Sequence, residues 1–103
     1  MTIQPSQLDI ARGEGDRTLV LTGVVDSHTA SRLSDRLDRL GERADVAIDI
    51  SGVEFIDSSG LRAVIAAHVA LAEAGHRLVL TGSSDPFDRL LEITGLDDQL
   101  HRG

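Results

Sequence analysis

Asp57-Ser58-Ser59-Gly60-Leu61 connects an apolar run to an amphipathic helix, and this connection decides the fold. The preceding run, residues 46–50 (VAIDI), has the composition of a short buried strand. Apolar residues after it recur at intervals of three and four, which predicts a helix over residues 58–74. Ser and Asp are preferred at a helix start because their side-chain oxygens accept hydrogen bonds from the N–H groups of the first turn. Such N–H groups also bind phosphate, so the junction suits both roles.

Strand and helix patterns alternate along the rest of the chain. They predict strands over residues 6–12, 18–25, 46–50 and 77–81 and helices over residues 28–41, 58–74 and 86–94. This alternation predicts an α/β domain with right-handed crossovers. Its mixed, mostly parallel β-sheet should have about four strands, of which the first is antiparallel, and three helices. Residues 101–103 are expected to form a free tail.

Composition narrows the function classes. A chain of 103 residues has the length of one domain, and its formal net charge of -7 disfavours nucleic acid as a partner, because all ten basic residues are scattered arginines. The chain has no cysteine and no apolar run long enough to insert directly into a membrane. Met1–Gln7 lacks the character of a secretory signal, so a cytoplasmic protein is expected. No glycine-rich phosphate loop and no histidine or acidic cluster indicates a cofactor or a metal site.

Three separated segments resemble one family. The run from Ile48 to Leu61 (IDISGVEFIDSSGL) resembles the signature of STAS domains, specifically the bacterial anti-sigma factor antagonists. Residues 22–26 (TGVVD) resemble the family's Gly-x-x-Asp turn, and residues 90–96 (LLEITGL) resemble its third helix and exit. The resemblance implies one STAS domain over residues 1–103. It departs from the family at the carboxyl end, where the usual closing helix is missing. Without that helix some apolar surface would stay uncovered, and three alternatives are open. They are lower stability, weak self-association of a protein that is otherwise a monomer, and use of the uncovered face by a partner.

The resemblance also implies a function and a set of site residues. Ser59 would be phosphorylated by a cognate anti-sigma factor serine kinase, with Ser58 as the second choice. The partner-binding surface would comprise Asp26, Asp57, Ser58, Ser59 and Gly60. The unphosphorylated form would sequester the anti-sigma factor and so permit transcription that depends on a sigma factor, and a serine phosphatase would reset the system. The protein would then be a substrate and ligand, not an enzyme.

The residues themselves leave other interpretations open. Ser58 and Ser59 can be ordinary helix caps, and Asp26 can be a helix cap, a partner contact, or a group that orients a hydroxyl. A hydrolase triad of Asp26, His28 and Ser59 is disfavoured, because no nucleophile elbow or oxyanion donor set is evident. His68 lies on an apolar helix face and is expected to be a satisfied core histidine. A second functional hypothesis is a STAS subunit that binds the ATPase of a membrane transporter.

Overall fold

A computed structural model describes residues 7–103 and shows five strands and three helices. The elements in chain order are β1 (Leu8–Arg12), β2 (Thr18–Val25), α1 (Ala30–Leu40), β3 (Val46–Ile56), α2 (Ser58–Glu73), β4 (Leu78–Thr81), α3 (Asp85–Thr94) and β5 (His101–Arg102). The predicted α/β class and the three helices are confirmed. No helix among the described residues is both long enough and apolar enough to cross a bilayer.

The strands form one sheet in the order β1-β2-β3-β4-β5. β1 is antiparallel to β2, as predicted, and the remaining neighbours are parallel. The carboxyl ends of β2 and β3 therefore lie at the same edge of the sheet, where Val25 is paired with Ile56. We call this edge the rim. It receives the two loops that carry Asp26 and Asp57.

Two details of the sheet differ from the sequence prediction. β3 continues from Ile50 to Ile56, because the Ser51-Gly52 step is accommodated by a shift in the register with β2. The sheet also has a fifth strand where a free tail was predicted. Arg102 holds this strand by donating to Asp88 (2.7 Å), and the N–H of Gly103 donates to the carbonyl of Leu80 (2.8 Å).

The helices cover one face of the sheet. The residues of the three central strands that point to this face are almost completely buried: Leu19, Leu21, Val46, Ile48, Ile50, Leu78 and Leu80. They share one core with residues such as Leu33, Val64 and Phe87 of the helices. Burying each side chain of this size contributes about 1.5–3 kcal/mol. The alternate strand residues Val20 and Val79 are only partly buried, so the opposite face is more open.

Arg17 binds the carboxyl end of α1. Its guanidinium donates to the carbonyl oxygens of Leu40, Gly41 (2.7 Å), Ala44 (2.9 Å) and Asp45 (3.0 Å). Carbonyls at a helix end and in the following loop have no helical partners, so this one side chain satisfies groups that would otherwise be left to water. The contact joins the start of β2 to the loop before β3.

Gly60 is the point where α2 lies closest to the sheet. It is buried, and a Cβ at this position would lie 2.5 Å from Val25 Cγ1 and 2.8 Å from the carbonyl oxygen of Val25. Neither distance can be accommodated without movement, and one of the two atoms belongs to the backbone. Only glycine therefore allows the first turn of α2 to pack against the end of β2.

Substitution of Arg17 tests the contact at the end of α1. Arg17→Lys should lower the free energy of unfolding by about 2 kcal/mol, because an ammonium cannot reach four carbonyls with the planar fork of a guanidinium. Urea unfolding measures the effect. Arg43→Lys is the matched control, since Arg43 is exposed and makes no hydrogen bond within residues 7–103. Equal losses for the two variants would contradict the assigned role.

Substitution of Gly60 tests the packing of α2. Gly60→Ala should lower the free energy of unfolding by about 1–3 kcal/mol, because the added methyl forces the helix away from Val25. Ser58→Ala, at an exposed position in the same turn, should change it by less than about 0.5 kcal/mol. Both values come from urea unfolding of unmodified protein. An unchanged stability of Gly60→Ala would show that α2 can shift without cost.

Candidate functional site

Asp57 is the cap of α2. It has extended backbone angles, and its Oδ1 accepts hydrogen bonds from the N–H groups of Ser59 (2.9 Å) and Gly60 (3.1 Å). The predicted capping at this junction is confirmed, and the capping side chain is the aspartate, not either serine. The two N–H groups are consequently occupied. The expectation that a phosphate on Ser59 would sit at this helix start stays a prediction.

The two serine hydroxyls are left available. Ser58 is exposed and Ser59 is half-buried, and neither Oγ makes a hydrogen bond with a residue between Gln7 and Gly103. Ser59 lines an open cleft between the starts of α1 and α2, together with Ser31, Ser34 and Arg62. Since the Ser59 hydroxyl has no hydrogen bond to lose among the described residues, its oxygen can react without breaking a contact in this part of the fold.

Asp26 organises the loop that follows β2. Its Oδ1 accepts hydrogen bonds from the N–H groups of His28 (2.9 Å) and Thr29 (3.2 Å), so it stabilises the turn before α1. The N-cap of α1 itself is Thr29. Asp26 therefore acts one turn earlier than a helix cap. Thr29 also stabilises this loop, because its buried hydroxyl donates to the carbonyl of Val24 (2.8 Å). This residue was not identified from the sequence.

The rim brings the two loops together, as the sequence predicts. The N–H of Asp57 donates to the carbonyl of Val25 (3.1 Å), which is the residue before Asp26. Gly60 lies beneath this surface, and the close backbone approach that it permits is to Val25 of the same chain. A contribution of Gly60 to partner binding stays a prediction.

Phe55 is an exposed apolar residue beside the rim that sequence reasoning did not assign to the site. It is 50% exposed, whereas the other aromatic residue, Phe87, is fully buried. Phe55 is paired with Val24 in the sheet, and both side chains leave the core because their neighbours Val25 and Ile56 point into it. The sequence prediction ended this strand at residue 50, so the place of Phe55 in β3 and its exposure follow only from the observed strand.

The histidines are the remaining candidate catalytic or metal-binding residues. The Oδ1 of Asp26 accepts the backbone N–H of His28, and the Oγ of Ser59 has no hydrogen-bonded base among the described residues. Within residues 7–103 no group of three or more potential ligands could hold a metal ion. The prediction of a satisfied histidine at position 68 is wrong, because its Nδ1 is buried without a hydrogen-bond partner in this part of the chain. Its ring instead contacts His101 edge-on, with centroids 5.7 Å apart.

Comparison with known proteins supports the resemblance seen in the sequence. The sequence model of the family described as "Mlab, STAS domain" matches residues 8–102. Among curated proteins, the anti-sigma-B factor antagonist of Listeria monocytogenes is 35% identical over 82 residues, which are 78% of this chain and 72% of that protein.

Several solved structures with the same fold are described as anti-sigma factor antagonists. An anti-sigma factor antagonist from Mycobacterium paratuberculosis has a TM-score of 0.80 and 23% identity, over 96% of this chain and 87% of that one. The antagonist SpoIIAA has been solved in an unphosphorylated form (TM-score 0.68) and, from Bacillus, in a phosphorylated form (TM-score 0.67). Both are 18% identical and cover 94% of this chain and 87% and 91% of theirs. The motif around Ser59, the sheet topology and these matches agree, and the chain belongs to the STAS domain family.

Proposed function

We propose that this protein is an anti-sigma factor antagonist that is controlled by phosphorylation of Ser59. The unmodified protein binds an anti-sigma factor serine kinase at the rim, which frees a sigma factor for transcription. The observation that carries the proposal is the Ser59 hydroxyl, which lies in an open cleft and makes no hydrogen bond with the described residues. The names of the relatives support the same role, since they are anti-sigma factor antagonists.

The modification requires no catalytic group in this chain. The Oγ of Ser59 would attack the γ-phosphorus of ATP held by the partner kinase. The bond from that phosphorus to the bridging oxygen would break, ADP would leave, and the hydroxyl proton would be lost. The product is a phosphoserine with close to two negative charges at neutral pH. A serine phosphatase would restore the hydroxyl by hydrolysis. The protein is thus the substrate in both directions.

Phosphorylation would weaken docking without unfolding the domain. The new dianion occupies space on the surface that the partner covers, and it must be desolvated for the partner to return. Asp26 and Asp57 already place two carboxylates at the rim. The phosphate therefore increases the electrostatic repulsion between this surface and any negative group of the partner. We expect the fold to be unaffected, because the Ser59 hydroxyl makes no hydrogen bond among the described residues.

The proposed docking surface combines polar and apolar groups. Asp26, Asp57, Ser58 and Ser59 supply its polar part, while Gly60 shapes it from below. Phe55 supplies an exposed aromatic side chain beside them, which is the kind of residue that carries binding energy in interfaces. The proposal also holds that this protein is a monomer and that it binds the kinase in the cytoplasm.

A second candidate is a STAS subunit that binds the ATPase of a membrane transporter. One observation motivates it: the family whose model matches residues 8–102 carries the name Mlab, so membership of the family does not by itself imply an antagonist. This candidate predicts binding to an ATPase subunit that does not respond to changes at Ser59.

Incubation with purified anti-sigma factor kinases of the source organism and ATP tests the proposal. One kinase should add a single phosphate to the wild-type protein and to Ser58→Ala, and none to Ser59→Ala, as measured by intact-protein mass. Ser59→Asp should weaken the complex with that kinase at least tenfold, because a charge replaces the hydroxyl in the docking surface. Calorimetry or surface plasmon resonance gives the affinity.

Two controls make the result decisive. Gln99→Glu adds a negative charge at an exposed position near the carboxyl end, where the side chain makes no hydrogen bond among the described residues, and should leave the affinity unchanged. Thermal unfolding should show that Ser59→Asp is folded. Full affinity of Ser59→Asp for the kinase, or a phosphate that remains on Ser59→Ala, would contradict the assignment of Ser59.

A further inference from the structure

Arg62 lies one helical turn after Ser59 on α2. Residues three apart on a helix are neighbours, with Cβ atoms about 5–6 Å apart. Both residues line the cleft between the starts of α1 and α2. Arg62 is exposed, and its side chain makes no hydrogen bond or ion pair with any residue between Gln7 and Gly103. Its guanidinium is therefore free to bind a new anion on this surface.

Among residues 7–103, only one charged residue lines this cleft. Arg62 supplies that charge, and the other lining residues are serines and alanines. Ser31 and Ser34 of α1 add hydroxyl donors to the lining. No carboxylate lines the cleft, so nothing there competes for the guanidinium.

Two of the three N–H groups at positions 58–60 are already committed, so a phosphate on Ser59 gains from a further donor. The N–H groups of Ser59 and Gly60 already donate to the Asp57 carboxylate. Removing them from that carboxylate would break the cap, which is worth about 1 kcal/mol. A guanidinium one turn away offers two parallel N–H donors to a phosphate at no such cost.

We propose that Arg62 binds the phosphate carried by Ser59. The inference rests on the proposed modification of Ser59 and specifies how the phosphorylated surface is organised. In the unmodified protein Arg62 is an available cation of the docking surface. In the phosphorylated protein its N–H groups donate to non-bridging phosphate oxygens. The two forms then differ by the loss of a free cation as well as by the gain of a dianion.

The second pKa of the phosphoserine reports this contact. Phosphoserine can be installed at position 59 during protein synthesis, so no kinase is needed, and a ³¹P NMR titration gives the pKa. A neighbouring guanidinium favours the dianion and lowers that pKa below its usual value of about 6. Arg62→Gln should raise it by about half a unit, a modest shift because the pair is exposed to solvent. Arg62→Lys should retain part of the lowering.

Arg89→Gln is the matched control. Arg89 is an exposed arginine on α3 whose side chain makes no hydrogen bond among residues 7–103, and its loss should leave the phosphoserine pKa unchanged. Added salt should reduce the difference between the wild type and Arg62→Gln, as expected for a direct ion pair. A structural role of Arg62 would not produce this salt dependence.

Two failures can be distinguished. Equal phosphoserine pKa values in the wild type and Arg62→Gln, with both proteins folded, would overturn the Arg62 contact and leave the proposed function intact. Absence of phosphate transfer to Ser59 by every kinase would overturn the proposed function, while the titration of installed phosphoserine would still give its own result. If Arg62→Gln failed to fold, the ¹H–¹⁵N signal of the Arg62 Nε–H in the wild type would decide: an unchanged signal between the unmodified and the phosphoserine protein would overturn the contact.

Discussion

The contact between Gly60 and Val25 is the constraint on which the rest of the site depends. A side chain at position 60 would collide with the carbonyl oxygen and a methyl group of Val25, so only glycine lets α2 begin directly above the end of β2. Because β2 and β3 are parallel, the same point is where Asp26 and Asp57 follow their strands. The helix start, both carboxylates and the serines are consequently fixed relative to one another by backbone packing. Their arrangement does not depend on hydrogen bonds between the loops' side chains.

Asp57 separates the structural and chemical roles of the junction. A helix start leaves N–H groups without partners, and a serine at this place commonly satisfies them. Here the aspartate accepts two of those N–H groups and leaves both hydroxyls uncommitted. A serine that capped the helix would lose its hydrogen bond when modified, and the helix would lose stability with it. The Ser59 hydroxyl does not cap the helix, so its modification can change the surface while the domain stays folded.

The sequence predicted the elements that show short-range hydrophobic periodicity, above all the helices. The helices containing Leu33, Val64 and Leu91 were placed to within a few residues, because an apolar face at intervals of three and four is visible in the sequence alone. The end of β3 was placed six residues too early, since Ser51 and Gly52 look like a turn until β2 is present to pair with them. The fifth strand was missed because it is held by Arg102 and Asp88, residues fourteen apart in the chain whose contact no local pattern encodes.

The site was predicted at the level of its loops but not of its atoms. The order of strands was enough to bring Asp26 and Asp57 to one edge. It could not say which side chain caps α2, because Asp and Ser have similar capping preferences and the choice depends on backbone angles. Nor could it give the exposure of Phe55, which follows from where β3 ends.

Arg62 illustrates why the last of these details matters for function. The protein is acidic, with a net charge of -7, so an added dianion is generally unfavourable on its surface. In our proposal Arg62, which lines the same cleft as Ser59, offsets part of that cost there. Ser58 lies four residues before Arg62, so helical spacing alone does not separate the two serines, but Ser58 does not line the cleft. The cleft therefore gives the proposed choice of Ser59 over Ser58 a physical basis that is separate from the motif.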